Sequence, residues 1–126
     1  MRLLLDTHIL LWGLNEPGRL SAPARAALAA PGNELFISLA SLWEIAIKAR
    51  KGQLAFDDDL PHRIERNRDL TLLPILAEHV WGVRRLPRLH GDPFDQLLVV
   101  QAMQENMTLV THDRKIGAYG VPIIAA

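Results

Sequence analysis

The apolar residues of this chain come in short unbroken runs rather than in alternation with polar ones. Leu3-Leu4-Leu5 stops at Asp6-Thr7, Leu35-Phe36-Ile37 at Ser38, and Leu70-Thr71-Leu72-Leu73 at Pro74. Thr108-Leu109-Val110-Thr111 and Val121-Pro122-Ile123-Ile124 follow the same pattern. Runs this brief, bounded by turn or cap residues, predict strands buried on both faces, here over 2–5, 35–37, 70–73, 108–111 and 121–124. Helical signals fill the intervals. Asp6 and Thr7 start a helix over 8–14, and Asn15-Glu16-Pro17-Gly18 is a turn. Ser21, with Pro23 just inside, opens an alanine-rich helix ending at Pro31-Gly32-Asn33. Ser38 caps a helix with Leu39, Leu42, Trp43, Ile45, Ala46 and Ile47 on its apolar face and Gly52 at its stop. A loop with three aspartates (53–59) precedes a polar helix over 60–68, and a further helix spans 76–86. Pro87 to Pro93 is a loop. Phe94 to Asn106 is the clearest amphipathic helix, and a short helix follows Asp113. Strands alternating with helices predict an α/β fold whose central parallel sheet, of about five strands, is covered on both faces. In such sheets the functional crevice lies outside the carboxyl ends of the strands.

At 126 residues the chain matches one domain, expected to span 1–126, and folding at this size buries roughly two-thirds of the exposed surface. Hydrophobic residues make up 49% and charged residues 22%, a globular composition. The 14 basic and 14 acidic side chains cancel, which argues against a partner held by bulk positive charge. Cysteine is absent, so disulfide scaffolds, thiol catalysis and cysteine-ligated metals are excluded. Met1-Arg2-Leu3-Leu4-Leu5 begins like a signal peptide, but Asp6 and His8 interrupt it and no small-residue cleavage site follows. With no apolar run of transmembrane length, a cytoplasmic protein is expected.

Four acids sit where these elements meet. Asp6 ends the first strand, Glu44 lies near the start of the helix after the second, Asp95 falls in the first turn opened by Pro93, and Asp113 follows the fourth strand. Gathered at one sheet edge, they would repel one another unless a cation compensated. Hard oxygen donors without His or Cys favour Mg²⁺, with Mn²⁺ as a possible substitute. An ion so held lowers the pKa of a bound water and stabilises a departing oxyanion, as phosphodiester hydrolysis requires. Each acid also has a structural reading. Asp92-Pro93-Phe94-Asp95 is a near-ideal helix start, Ser41-Leu42-Trp43-Glu44 matches a capping box, and Asp6 and Asp113 suit caps. Glu44 is the informative one, since an unpaired charge in an apolar helix is expensive.

In order, Leu4-Leu5-Asp6-Thr7-His8, Ser41-Leu42-Trp43-Glu44-Ile45 with Lys48, His90-Gly91-Asp92-Pro93-Phe94-Asp95, and Leu109-Val110-Thr111-His112-Asp113 span nearly the whole chain. On these motifs the chain resembles PIN-domain ribonucleases, specifically the VapC-type toxins of toxin–antitoxin pairs. The resemblance implies a compact three-layer α/β/α domain and metal-dependent endonucleolytic cleavage of RNA. It makes Asp6, Glu44, Asp95 and Asp113 the catalytic metal ligands, with Asp92 supporting them or capping. Thr7 and Thr111 fall where such proteins keep a hydroxyl near the metal. It further implies a homodimer and a VapB-type antitoxin that lays a disordered segment along an apolar groove. Leu10, Leu11, Trp12, Leu14 and the 35–47 region are more apolar than one small sheet needs. Gln96 stands where this subgroup often has Arg, and His112 where a small residue is common, so contacts to RNA at the rim are expected to differ.

Residues 46–90 hold nine of the basic side chains against six acids, and the remainder five against eight. The neutral total therefore hides a basic middle segment available to phosphate. Lys48, one turn beyond Glu44, is the favoured substrate contact, though a Glu–Lys pair also explains it. His8, His112 and Arg114 adjoin the acids and are further candidates. The histidines (8, 62, 79, 90 and 112) form no metal-binding spacing, so no general-base histidine is indicated. Trp12, Trp43 and Trp81 are expected in the core or a dimer interface rather than as base-stacking platforms. Rival readings fare worse. A receiver domain needs an acidic pair after the first strand, a haloacid-dehalogenase-like phosphatase needs Asp-x-Asp there, and a dinucleotide fold needs glycines. Asp6-Thr7-His8 supplies none of these. An inactive PIN scaffold, against which the presence of all four acids weighs, or a Mg-binding receiver-like module remains the alternative.

Overall fold

The computed structural model describes residues 1–89 and 91–126, so His90 of the third motif lies outside the described residues. Among them, five strands form one sheet: β1 (Arg2–Leu5), β2 (Glu34–Ser38), β3 (Leu70–Leu73), β4 (Thr108–Thr111) and β5 (Ile123–Ala125). Their spatial order is β3-β2-β1-β4-β5, and every pairing is parallel. The helices are α1 (Thr7–Asn15), α2 (Ala22–Ala29), α3 (Leu39–Arg50), α4 (Leu60–Arg66), α5 (Ala77–Gly82) and α6 (Pro93–Gln104).

Successive strand residues point to opposite faces, so each apolar run feeds two cores. Leu4, Phe36 and Leu109 join α6 residues such as Leu98 and Val99 on one side. Leu3, Leu5, Ile37 and Val110 join Ile9, Leu10, Ala24, Ile45, Leu60 and Ile64 on the other. Two-sided burial is why these strands carry no polar alternation. Leu11, Trp12, Leu14 and Leu35 are absorbed as partly buried neighbours of the second core.

Most helices begin on side-chain caps. Ser21 accepts from Ala24 N at 3.2 Å, Ser38 from Ala40 N at 3.0 Å, and Asp92 from Phe94 N at 2.8 Å. Several boundaries and faces differ from expectation. The polar helix stops at Arg66 because Asn67 turns its side chain onto Asp69 N, a local bond that competes with the helix. The helix expected to reach residue 86 ends at Gly82 and tightens into a 3₁₀ turn, Val83–Arg85. There α5 crosses α6 so closely that an added Cβ at Gly82 would lie 2.7 Å from Val100 Cγ1. The segment after Asp113 is likewise a 3₁₀ turn, Arg114–Tyr119. Strand β5 begins only at Ile123, because Pro122 lacks the N–H a ladder needs.

Two helix faces are corrected. In α3 the buried residues are Ala40, Ser41, Glu44 and Ile45, whereas Leu39, Trp43 and Ala46 face outward. Trp43 is 59% exposed and Trp81 65%, so neither is a core residue of this chain. In α6 five successive residues, Leu98–Ala102, are buried, so the helix is enclosed on all sides through that stretch rather than amphipathic. No helix among the described residues is long and apolar enough to cross a membrane.

Candidate active site

The chain runs outward from β1 through β2 to β3, then returns to the other side of β1 for β4 and β5. The order reverses between β1 and β4, and the crevice outside their carboxyl ends is where open α/β sheets bind ligands. Asp6 follows β1 directly, and Asp113 comes two residues after the end of β4. Backbone pairing continues one step past β1, with Asp6 N donating to Val110 O at 3.0 Å. Helices α3 and α6 bring Glu44 and Asp95 to the same place. Asp6, Thr7, His8, Glu44, Lys48, Asp92, Asp95, His112 and Asp113 line one cavity of about 200 Å³.

Each acid is held by a local reason and faces the cavity for another. Asp6 caps α1 with one oxygen, Oδ1 accepting from Ile9 N at 3.0 Å. Its Oδ2 accepts from Thr111 Oγ1 at 2.6 Å and lies 3.4 Å from His112 Nδ1. The Thr111 hydroxyl in turn accepts from Asp113 N at 3.1 Å, and Asp113 Oδ1 accepts from Lys115 N at 3.0 Å. One hydroxyl thus ties the acid after β1 to the loop carrying the acid after β4. Asp92 spends Oδ1 on Phe94 N and Asp95 N, which fixes the turn that presents Asp95. The capping readings of Asp6, Asp92 and Asp113 therefore hold, and all three residues also line the cavity.

Glu44 is buried and fully partnered: Oε1 accepts from Thr7 Oγ1 at 2.5 Å and Oε2 from Lys48 Nζ at 2.7 Å. Lys48 is 34% exposed, so the pair spans from interior to solvent. The hydrogen bond to Glu44 raises the Lys48 pKa, and the nearby charges of Asp92 and Asp95 raise it further. The hydrogen bond to Asp6 raises the His112 pKa against the effect of burial. Burial, then the charge of His112, lowers that of His8. Of the two imidazoles, His112 takes a proton first.

Arg114 is exposed and does not line this cavity. Among the nine basic residues of the middle segment, Lys48 alone lines it within the described residues. Arg63 and Arg66 instead reach Asp57 and Asp59, each at 3.7 Å. The charge count suggested a broader basic rim than these pairings leave. The sequence also understated Trp12, which contacts both His8 and His112. Its spacing of four residues from His8 on a helix was the available signal.

The donor set matches a hard divalent cation: carboxylates from four elements share a cavity in which a lysine and an imidazole already sit against two of them. As they stand, however, no three acidic or histidine side chains among the described residues are close enough to hold one ion. Replacing Thr111 by Val should leave the buried Asp6 Oδ2 with His112 as its remaining contact and take the acceptor from Asp113 N–H, at a cost of about 1–3 kcal/mol. Urea unfolding measures this, and Thr111→Ser should recover most of the loss.

Residues 3–121 match the family model described as PIN domain. Ribonuclease VapC22 of Mycobacterium tuberculosis (strain ATCC 25618 / H37Rv) is 30% identical over 130 residues, covering 94% of this chain and 92% of that protein. The fold resembles the crystal structure of VapBC2 from Rickettsia felis bound to a DNA fragment from their promoter. That match has a TM-score of 0.73 at 20% identity and covers 99% of this chain and 98% of that one. VapBC-1 from nontypeable Haemophilus influenzae gives a TM-score of 0.67 at 18% identity, covering 99% and 98%. With the parallel sheet, the acids at its switch point and a family match over almost its full length, the chain belongs to the PIN-domain family.

Proposed function

We propose that this protein is a Mg²⁺-dependent endoribonuclease, the toxin of a toxin–antitoxin pair. The observation that carries this is the meeting of Asp6, Glu44, Asp92, Asp95 and Asp113 around one cavity at the sheet's switch point. Its likeness over most of its length to a protein named a ribonuclease supports the same reading.

Asp6, Glu44, Asp95 and Asp113 would hold the ion. When bound, a divalent ion lowers the pKa of an associated water and offsets the negative charge that develops on the phosphate and leaving oxygen. The chain's own residues do the positioning. Thr7 and Thr111 fix the orientation of Glu44 and Asp6 through their hydroxyls. Asp92 holds the first turn of α6 so that Asp95 faces the cavity. Lys48 offers an ammonium at the cavity wall, where it can pair with a substrate phosphate once Glu44 turns away from it.

The structural neighbours named as VapBC structures support a VapB-type antitoxin as partner. Val80 and Trp81 on α5, exposed in the single chain, would be covered in a homodimer. The cytoplasm, where RNA is reached, is the proposed compartment, and residues 1–126 are proposed to form one PIN domain carrying the whole activity.

Incubation of the purified protein with total RNA, followed by mapping of new ends, tests the reading. Discrete cleavage in Mg²⁺ that stops in EDTA is expected, and the mapped sites separate tRNA, rRNA and mRNA targets. Equal cleavage in EDTA would sink it.

A further inference from the structure

We propose that His8, Trp12 and His112, with Arg19 lying over the tryptophan, form a stacking subsite for a base of single-stranded RNA beside the carboxylate cavity. This rests on the ribonuclease reading above and adds to it a place where the substrate is gripped.

The three rings form a closed cluster. His8 and His112 are 4.5 Å apart between centroids, Trp12 and His112 5.6 Å, and His8 and Trp12 5.9 Å. Chain order does not bring them together; the β1–β4 pairing does, since His8 follows β1 by one helical turn and His112 follows β4 directly. The cluster is not sealed in the core. His8 and Trp12 are half-buried and His112 is exposed.

Position separates this cluster from ordinary packing. His8 lines the carboxylate cavity and also a second cavity of about 310 Å³, walled by Leu11, Trp12, Asn15, Arg19 and Phe56 among others. That volume lies at the lower end of the range for small-molecule sites. The two cavities therefore share a histidine wall, and a strand whose phosphate reaches the acids carries its neighbouring base to the rings.

The chemistry also favours a nucleotide over an apolar peptide segment. Two of the three rings are imidazoles with polar edges. The Arg19 guanidinium lies 4.5 Å from the Trp12 ring centroid and is 58% exposed, held at its outer side by the equally exposed Glu16 at 3.5 Å. A guanidinium plane both stacks on bases and binds phosphate. Stacking accepts any base, because every base presents a π face. The subsite should therefore strengthen binding without dictating sequence.

The test is a cycle of binding measurements by fluorescence anisotropy, with Ca²⁺ in place of Mg²⁺. It uses a labelled uridine decamer and an abasic ribose-phosphate decamer of the same length. Wild type should prefer the uridine decamer. Trp12→Leu, which keeps apolar volume but not the indole, should weaken that decamer about five- to 150-fold and leave the abasic one unchanged. Trp12→Phe should restore most of the loss. If Trp12→Leu does not fold, Trp12→Met, more adaptable in packing and equally without a ring, carries the same comparison. Equal weakening of both decamers would assign Trp12 a structural role, and no weakening of either would leave the rings to a protein partner. Either result overturns the subsite while leaving the nuclease reading standing. Failure of wild type to bind any decamer overturns both.

Discussion

Asp6→Asn should cut RNA cleavage by about 10²- to 10³-fold while leaving the protein folded. The magnitude is that of losing one preorganised electrostatic contact to a transition state. The fold should survive because Asn caps helices about as well as Asp, so the bond from Ile9 N is kept. What changes is the second oxygen. The other atom of the side chain becomes an NH₂ facing the Thr111 hydroxyl, which already accepts from Asp113 N and would lose its acceptor in Asp6. The negative charge proposed to hold the ion goes with it. Glu44→Gln should behave similarly, with the added consequence that Lys48 loses the carboxylate it now contacts. Cleavage assays beside circular dichroism and melting curves check both variants. An Asp6→Asn protein with full activity would remove Asp6 from the ligand set.

Leu109→Ala should cost about 2–5 kcal/mol, the range for truncating a fully buried leucine. Leu109 sits mid-strand in β4, paired with Leu4 of β1 and Ile123 of β5. It is packed in the core beneath α6, where cavity and lost transfer energy add together. For a chain of this size the melting temperature should fall by roughly 10 °C or more. Strand β4 also carries the Thr111 hydroxyl to Asp6, so the variant should lose activity along its own melting curve. Well below its melting temperature it should cleave RNA near the wild-type rate, which separates scaffold from chemistry. Differential scanning calorimetry measures the first effect and cleavage across temperature the second.

The elements were readable from local pattern because a buried parallel strand announces itself by a short apolar run with polar ends. The acids were readable because cap positions and strand ends coincide: Asp6, Asp92 and Asp113 all cap and all face the cavity. Helix α3 shows where pattern misled. Two of its large apolar side chains, Leu39 and Trp43, point out, and its buried face includes Ser41 and Glu44 beside Ala40 and Ile45. Partnership explains this, since Glu44 is buried against Thr7 and Lys48 rather than unpaired. The ring cluster needed strand order as well. Only the adjacency of β1 and β4 puts His112 beside His8, and sequence distance conceals it. The basic segment was legible only as a net count, since sequence alone does not show which of its side chains, as Arg63 and Arg66 do, sit against neighbouring aspartates.

The central claim is that carboxylates at the end of β1, in α3, in α6 and after β4 share a divalent cation. Titrating Mn²⁺ or Mg²⁺ into wild type and Asp6→Asn while following the melting temperature tests it without reference to activity. A saturable rise in wild type, as mass action requires of a ligand bound only by the native state, should be largely lost in Asp6→Asn. No rise at millimolar metal, or the same rise in both proteins, would contradict the account.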